Sequence, residues 1–241
     1  MTGPAQGGYY MDIFKLFTAA GGEFQIPYEA FSNKLNAIRA IIFDWDGVFN
    51  DGTKDHQGSS NFNEVDAMGT NLLRFSRWLQ RGELPIVAVM SGERNTLSFQ
   101  LTTREHFHQG YFRVKDKMQA FRHFAVLHDL DPKEIAFVFD DVLDLALAEE
   151  AGLRIMVQHA GSPLFKKFVL DRKLADYVTS NSPYAVREAC ELMIGTTGNY
   201  DEVIGSRAHF TDRYKAYLAA RQAVVTEYFT LHDQELRRAE I

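Results

Sequence analysis

Apolar positions along this chain switch repeatedly between two periods, and their order predicts a sheet with helices packed on it. Short runs of buried-type residues at 38–43, 85–90, 111–114, 135–139, 154–157 and 177–179 read as strands. Patterns of helical period lie between them, at 68–81, 94–105, 117–129, 143–151, 163–168 and 183–193. In the first of these, Leu72, Leu73, Phe75, Trp78 and Leu79 share one face. The run Ala40-Ile41-Ile42-Phe43 is apolar without alternation, as expected of a strand covered on both faces. Strands and helices in this order build βαβ units. The expected fold class is α/β, a Rossmann-like, doubly wound parallel sheet.

Both ends depart from that rhythm. Residues 1–36 read as an N-terminal extension: Gly3, Gly7 and Gly8 suggest a loose start, with short helices at 11–20 and 28–35. From 206 to 241 the apolar positions Phe210, Tyr214, Tyr217, Leu218, Val224, Val225, Tyr228, Phe229 and Leu236 fit one long helix, whose aromatic stripe needs a surface to cover. The chain therefore divides into an extension 1–36, a core 37–200 and a helical C-terminal extension 201–241.

Strand 38–43 ends in Asp44-Trp45-Asp46-Gly47. In parallel sheets the chemistry sits beyond the carboxyl ends of the strands. Two acids held this close are costly unless a cation lies between them, which points to a Mg²⁺-assisted site where one acid attacks and the other moves a proton. Asp-x-Asp-Gly also opens calcium loops and Asx turns. An EF-hand loop counted from Asp44 would need a glutamate at its twelfth position, where Asp55 stands, and no helix precedes it. Strand 85–90 runs into Ser91-Gly92 and then a helix, either a phosphate-binding corner or an ordinary turn. Lys115 and Lys117 open the next helix, where a cation opposes the macrodipole; each is a solvated charge unless a local reason holds it there. Strand 135–139 delivers Asp140, Asp141 and Asp144, acids suited to metal coordination or to capping a helix.

Taken in order, Asp-x-Asp, strand-Ser-Gly, Lys and strand-Asp-Asp-x-x-Asp resemble the haloacid-dehalogenase-like (HAD) phosphatases over about residues 38–193. The resemblance implies Asp44 as nucleophile and Asp46 as general acid/base. It implies Ser91, Gly92 and Lys117 around the phosphate, and Mg²⁺ held by Asp44, the Asp46 carbonyl and Asp140, with Asp141 and Asp144 in an outer shell. The intervals 44–91 and 91–117 leave room for a β-hairpin at about 50–65 but not for a separate cap domain. Asp46-Gly47-Val48 with Asp51-Gly52, Phe62-Asn63 with Asp66 and Gly69, Ala175-Asp176-Tyr177-Val178-Thr179 and Ala185-Val186-Arg187-Glu188 resemble the capless branch. That branch includes the KDO 8-phosphate phosphatases and nonulosonate 9-phosphatases, so a small acidic sugar phosphate is the implied substrate. A homotetramer is also implied, in which the hairpin closes the adjacent subunit's site. Three departures bear on substrate recognition. Phe139 replaces a glycine, Val65 replaces a basic residue, and 180–184 lacks a glycine-rich loop. These leave another small phosphomonoester, or a non-catalytic scaffold, as alternatives.

Composition narrows the partners. A chain of 241 residues can hold one core with appendages, and its formal net charge of -6, without a Lys/Arg run, weighs against nucleic acid. No segment has the roughly 18 consecutive apolar residues of a membrane span, and the start lacks the pattern of a signal peptide. Cys190 is the single cysteine and falls in a helical pattern with Ala185, Val186, Ala189 and Met193, which reads as core filler in a reducing, cytoplasmic setting. His106 and His108 read as polar loop, Trp45 as packing, and Asp51 and Gly52 as turn formers. Asn63 and Asp66 either reach substrate or fix the hairpin.

Overall fold

The computed structural model describes residues 6–233 and 235–241. The N-terminal part holds α1 (Gln6–Ala19), β1 (Glu23–Phe24) and α2 (Tyr28–Ala37). Then follow β2 (Ala40–Asp44), α3 (Glu64–Arg81), β3 (Ile86–Met90), α4 (Thr96–Arg104), β4 (Gln109–Phe112) and α5 (Lys117–Leu127). The second half of the alternation is β5 (Ile135–Phe139), α6 (Leu145–Glu150), β6 (Leu153–Met156), α7 (Pro163–Asp171), β7 (Tyr177–Val178) and α8 (Ala185–Thr197). The chain ends with α9 (Tyr200–Ala208), α10 (Asp212–Gln222), β8 (Glu227–His232) and β9 (Glu235–Ala239). All described strands join one sheet in the order β1-β7-β6-β5-β2-β3-β4-β8-β9. Its pairs are parallel except the outermost, β1 with β7 and β8 with β9.

Alternate residues of the buried strands feed two cores. Ile41, Phe43, Val87, Val89 and Val138 face α3, α8 and the tyrosines of α10. Ile42, Met90, Ile135, Phe137 and Phe139 face α5, α6 and α7. Phe139 is fully buried and stacks on Phe137 at 5.5 Å, so the residue replacing a glycine fills the core. β2 therefore sits near the middle of the sheet with both faces covered, and its carboxyl end carries Asp44. Among the described residues no helix is long and apolar enough to cross a membrane.

The structure corrects several sequence expectations. Gly3 lies outside the described residues, while α1 begins at Gln6 and takes in Gly7 and Gly8 rather than a loose segment. The strand expected at 111–114 lies at Gln109–Phe112, because the chain turns at Arg113 (φ 56°) and the Val114 N–H donates back to the Ser91 carbonyl. The helix expected at 143–151 opens as a 3-10 turn, Val142–Asp144, before α6. No strand forms at 50–65. There Asp51 and Asp55 accept from the backbone amides of Thr53 and Gln57, which takes those donors away from a ladder. Asp55 and Ser59 keep a single backbone pairing across the tip.

The largest correction is at the C-terminus, where the single long helix is two helices and a hairpin. Phe210 takes a left-handed conformation (φ 49°), and Thr211 caps α10 as a new start. Beyond α10, Val224-Val225-Thr226 is a β-branched run that disfavours helix. β8 then adds to β4 in parallel register, with Gly110 opposite Tyr228 and Tyr111 opposite Phe229.

Candidate active site

The site lies where β2, β3 and β5 end. Asp44 is the last residue of β2, Ser91 follows β3, and Asp140 follows β5. Lys117 is the first residue of α5, whose N-cap is Asp116. Its side chain is 5% exposed, with Nζ 2.6 Å from Asp44 Oδ1 and 2.5 Å from Asp144 Oδ1. That pairing supplies the local reason for a lysine at a helix start. Lys115, by contrast, is exposed at the rim.

One carboxylate oxygen from each of Asp44, Asp140 and Asp144 lies within 4.8 Å of the other two. Asp144 is fully buried, and its Oδ2 accepts the backbone N–H of Asp141 at 3.2 Å. It lies with Asp44 and Asp140 in one acidic cluster. Asp141 lies outside that three-oxygen group, exposed at the cavity rim, where it caps the 3-10 turn and accepts from the Val142 N–H at 2.7 Å. Gly47 turns the chain at φ 84°, and a Cβ there would stand 1.9 Å from Asp140 Oδ2, so a side chain would both strain the turn and displace the Asp140 carboxylate.

Electrostatics favour a cation here. Burial drives the Asp44 carboxyl well above the ordinary carboxylate range against the pull of Lys117, and Asp144 and Asp140 push the same way as burial. Burial also raises Asp140, with a His159 hydrogen bond opposing it. For Lys117, burial lowers the pKa but is outweighed by Asp44 and Asp144, which raise it overall. Asp140 Oδ1 is buried and has no hydrogen-bond partner among the described residues. Clustered carboxylate oxygens, one of them orphaned, suit a hard divalent ion that takes oxygen ligands.

Ser91 Oγ accepts the Glu93 N–H at 3.2 Å, which leaves its own hydrogen free for a ligand. Nothing lies within 4 Å of where a Gly92 Cβ would be, so the corner opens into the cavity. That cavity is about 260 Å³ and is lined by Asp44, Asp46, Gly92, Lys117, Asp140 and Asp144, among others. Asp46 stands apart from the three-acid cluster and pairs with Lys54 (Nζ to Oδ1, 2.5 Å) from the 50–65 loop. A separate, larger cavity of about 720 Å³ lies on the Lys54 side, lined by Asn50, Asn61, His159, Asn181 and Tyr184 among others.

Asp66 is turned away from the acids, whereas Asn63 also lines the larger cavity. Asn63 caps α3 and donates to Asp66 Oδ2, while Asp66, fully buried, accepts the Arg187 N–H at 2.7 Å. Trp45 is buried against Phe49, as packing predicts, but its Nε1–H also reaches Ser60 Oγ at 3.2 Å. Sequence reasoning missed Lys54, Ser60 and His159. The His159 Nε2–H donates to Asp140 Oδ2 at 3.1 Å, a bond that raises the His159 pKa against the effect of burial. A polar residue just past the end of β6, on the catalytic edge of the sheet, was the available signal.

No family model matches the chain. The 3-deoxy-D-manno-octulosonate (KDO) 8-phosphate phosphatase of Yersinia pestis is 30% identical over 171 residues, 65% of this chain and 80% of the relative. The Salmonella typhi phosphatase of the same description is 29% identical over 181 residues, 71% and 87% of the two chains. A HAD superfamily (subfamily III A) hydrolase structure from Legionella pneumophila matches with a TM-score of 0.62 at 26% identity, covering 75% of this chain and 95% of that one. The Yersinia pestis phosphatase structure matches with a TM-score of 0.60 at 27% identity, covering 71% and 89%. By these likenesses the chain belongs to the KDO 8-phosphate phosphatase family of the HAD phosphatases.

Proposed function

We propose that this protein is a Mg²⁺-dependent phosphomonoester hydrolase acting on a small acidic sugar phosphate, such as a 3-deoxy-ulosonic acid phosphate. The observation that carries the reading is the buried Asp44–Lys117–Asp144 bridge beside Asp140 at the ends of the central strands. Asp44, Asp140 and the Asp46 carbonyl would hold the metal, with Asp144 close enough to join or support them. Bound there, Mg²⁺ would neutralise charge on the phosphoryl oxygens.

The side chains divide the remaining work. An Asp44 carboxylate oxygen attacks phosphorus in line and holds the phosphoryl group as an aspartyl-phosphate. Lys117 and the Ser91–Gly92 corner bind the oxygens on which charge develops. Asp46 protonates the leaving oxygen, then removes a proton from the water that breaks the acyl-phosphate. The larger cavity beyond Lys54 has the polar lining a sugar acid needs, including the Lys54 ammonium for a carboxylate. Buried Phe139 belongs to the core and supplies no argument for a non-catalytic scaffold. We further place the protein in the reducing cytoplasm, with its one cysteine buried, and as a homo-oligomer, a tetramer by the family resemblance.

Phosphate release over a panel of sugar phosphates, with Mg²⁺ and with the metal chelated, tests the reading. Turnover of a 3-deoxy-ulosonic acid phosphate only when Mg²⁺ is present is expected. Preference for a neutral sugar phosphate would overturn the substrate class, and metal-independent turnover would overturn the metal's role.

A further inference from the structure

Asp46 is held by a residue that the reaction scheme does not use. Ser60 is fully buried at the end of the 50–65 loop, and its Oγ lies among polar groups that determine where its single hydrogen goes. The Trp45 Nε1–H donates to it at 3.2 Å and the Asn95 Nδ2–H at 2.8 Å. Asn95 cannot present its oxygen instead, because its Oδ1 accepts the backbone N–H groups of Leu97 (3.0 Å) and Ser98 (3.3 Å) as the N-cap of α4. A hydroxyl has two lone pairs and one hydrogen. With both lone pairs engaged, the Ser60 O–H points at its remaining neighbour, Asp46 Oδ1. Lys54 Nζ donates to the same oxygen, and Asp46 Oδ2 has no partner among the described residues.

We infer that Ser60 is a positioning residue for the acid–base carboxylate. It pins Asp46 Oδ1, turns Oδ2 toward the reacting phosphate, and ties that orientation to the seating of the 50–65 loop on α4. Ser59 supports the same seat, its Oγ 2.9 Å from Thr96 Oγ1. The inference rests on the acid role proposed for Asp46. In the step concerned, the P–O bond to the leaving group breaks while the Asp46 proton passes to the departing oxygen. A sugar alkoxide needs that proton; a nitrophenolate departs without it. In kcat/KM, which reports this first step, loss of positioning therefore shows only with poor leaving groups; the later hydrolysis of the acyl-phosphate is common to both esters and enters kcat alone.

The test uses full-length, Mg²⁺-loaded protein and compares kcat/KM for KDO 8-phosphate with that for p-nitrophenyl phosphate. Ser60→Ala is expected to lower the first about 10- to 100-fold, the scale of a misplaced catalytic group, and to leave the second nearly unchanged. In an Asp46→Asn background the same substitution should add nothing, since the carboxylate it positions is gone. Equal losses on both esters, or a full additional loss in that background, would overturn the inference and make Ser60 a folding residue only. If Asp46→Asn itself affects both esters alike, it is the acid role that fails, not the positioning. Should Ser60→Ala not accumulate, Trp45→Phe removes one of the two donors and keeps most of the aromatic packing. It should give a smaller loss confined to the sugar phosphate, and a loss without that selectivity would count against Ser60.

Discussion

Asp66 and Asp140 carry the same functional group and stand in sequence contexts that both suggest chemistry, yet only one faces the site. Asp140 meets Asp44 because β2 and β5 are paired neighbours and Gly47 leaves room for its carboxylate, whereas Asp66 turns inward to the start of α8. The acids were legible in the sequence because they stand where strands end, and Lys117 only through the family resemblance. Lys54, Ser60 and His159 were not, since their contacts depend on how loops fold back. Burial pushes the Asp66 carboxyl up to about 6. The folded state then binds the proton more tightly than the unfolded chain, so stability falls as pH rises from about 4 to about 6. The shift corresponds to about 3 kcal/mol at most. Urea titrations of the native protein and Asp66→Asn at pH 4 and pH 7 should show the native protein gaining on the variant at the lower pH. A difference that stays constant with pH would contradict this account of Asp66.

Among the elements, the alternation of strands and helices was readable from periodicity because both faces of the sheet are buried. The C-terminal hairpin was not. Its aromatics fall at intervals that also suit a helix, and only packing decides between the two. Tyr228 settles the matter physically: its ring lies over Gly110, and its hydroxyl is 2.7 Å from those of Thr102 and Thr103. Phe229 stacks on Tyr111 at 5.4 Å. A Cβ at Gly110 would stand 2.6 Å from the Tyr228 ring. Gly110→Ala should therefore destabilise by about 1–3 kcal/mol in a denaturation experiment, and the cost should shrink when Tyr228→Ala removes the ring. Equal costs with and without the ring would mean that β8 does not seat on β4 in this way.

Among the described residues, the molecule adds an antiparallel strand at each side of the sheet and has no cap domain. β1 closes one edge against β7, and Lys34 of α2 pairs with buried Asp176 at 2.8 Å, so the N-terminal segment is fastened to the core. The 50–65 loop reaches its own Asp46, and Val142 and Leu143 remain 60% exposed beside the acids. Apolar side chains at the mouth of a site suit a covering neighbour. Light scattering should accordingly give a mass well above the 27.5 kDa of one chain, and a fully active monomer would contradict the proposed assembly. The central claim, that this molecule transfers a phosphoryl group to Asp44, is tested most directly by phosphate release from KDO 8-phosphate with Mg²⁺, native protein against Asp44→Asn. Turnover by the native protein and none by the variant, which remains folded, is the predicted result, because an amide cannot form the phosphoenzyme. Near-native turnover by Asp44→Asn would contradict it.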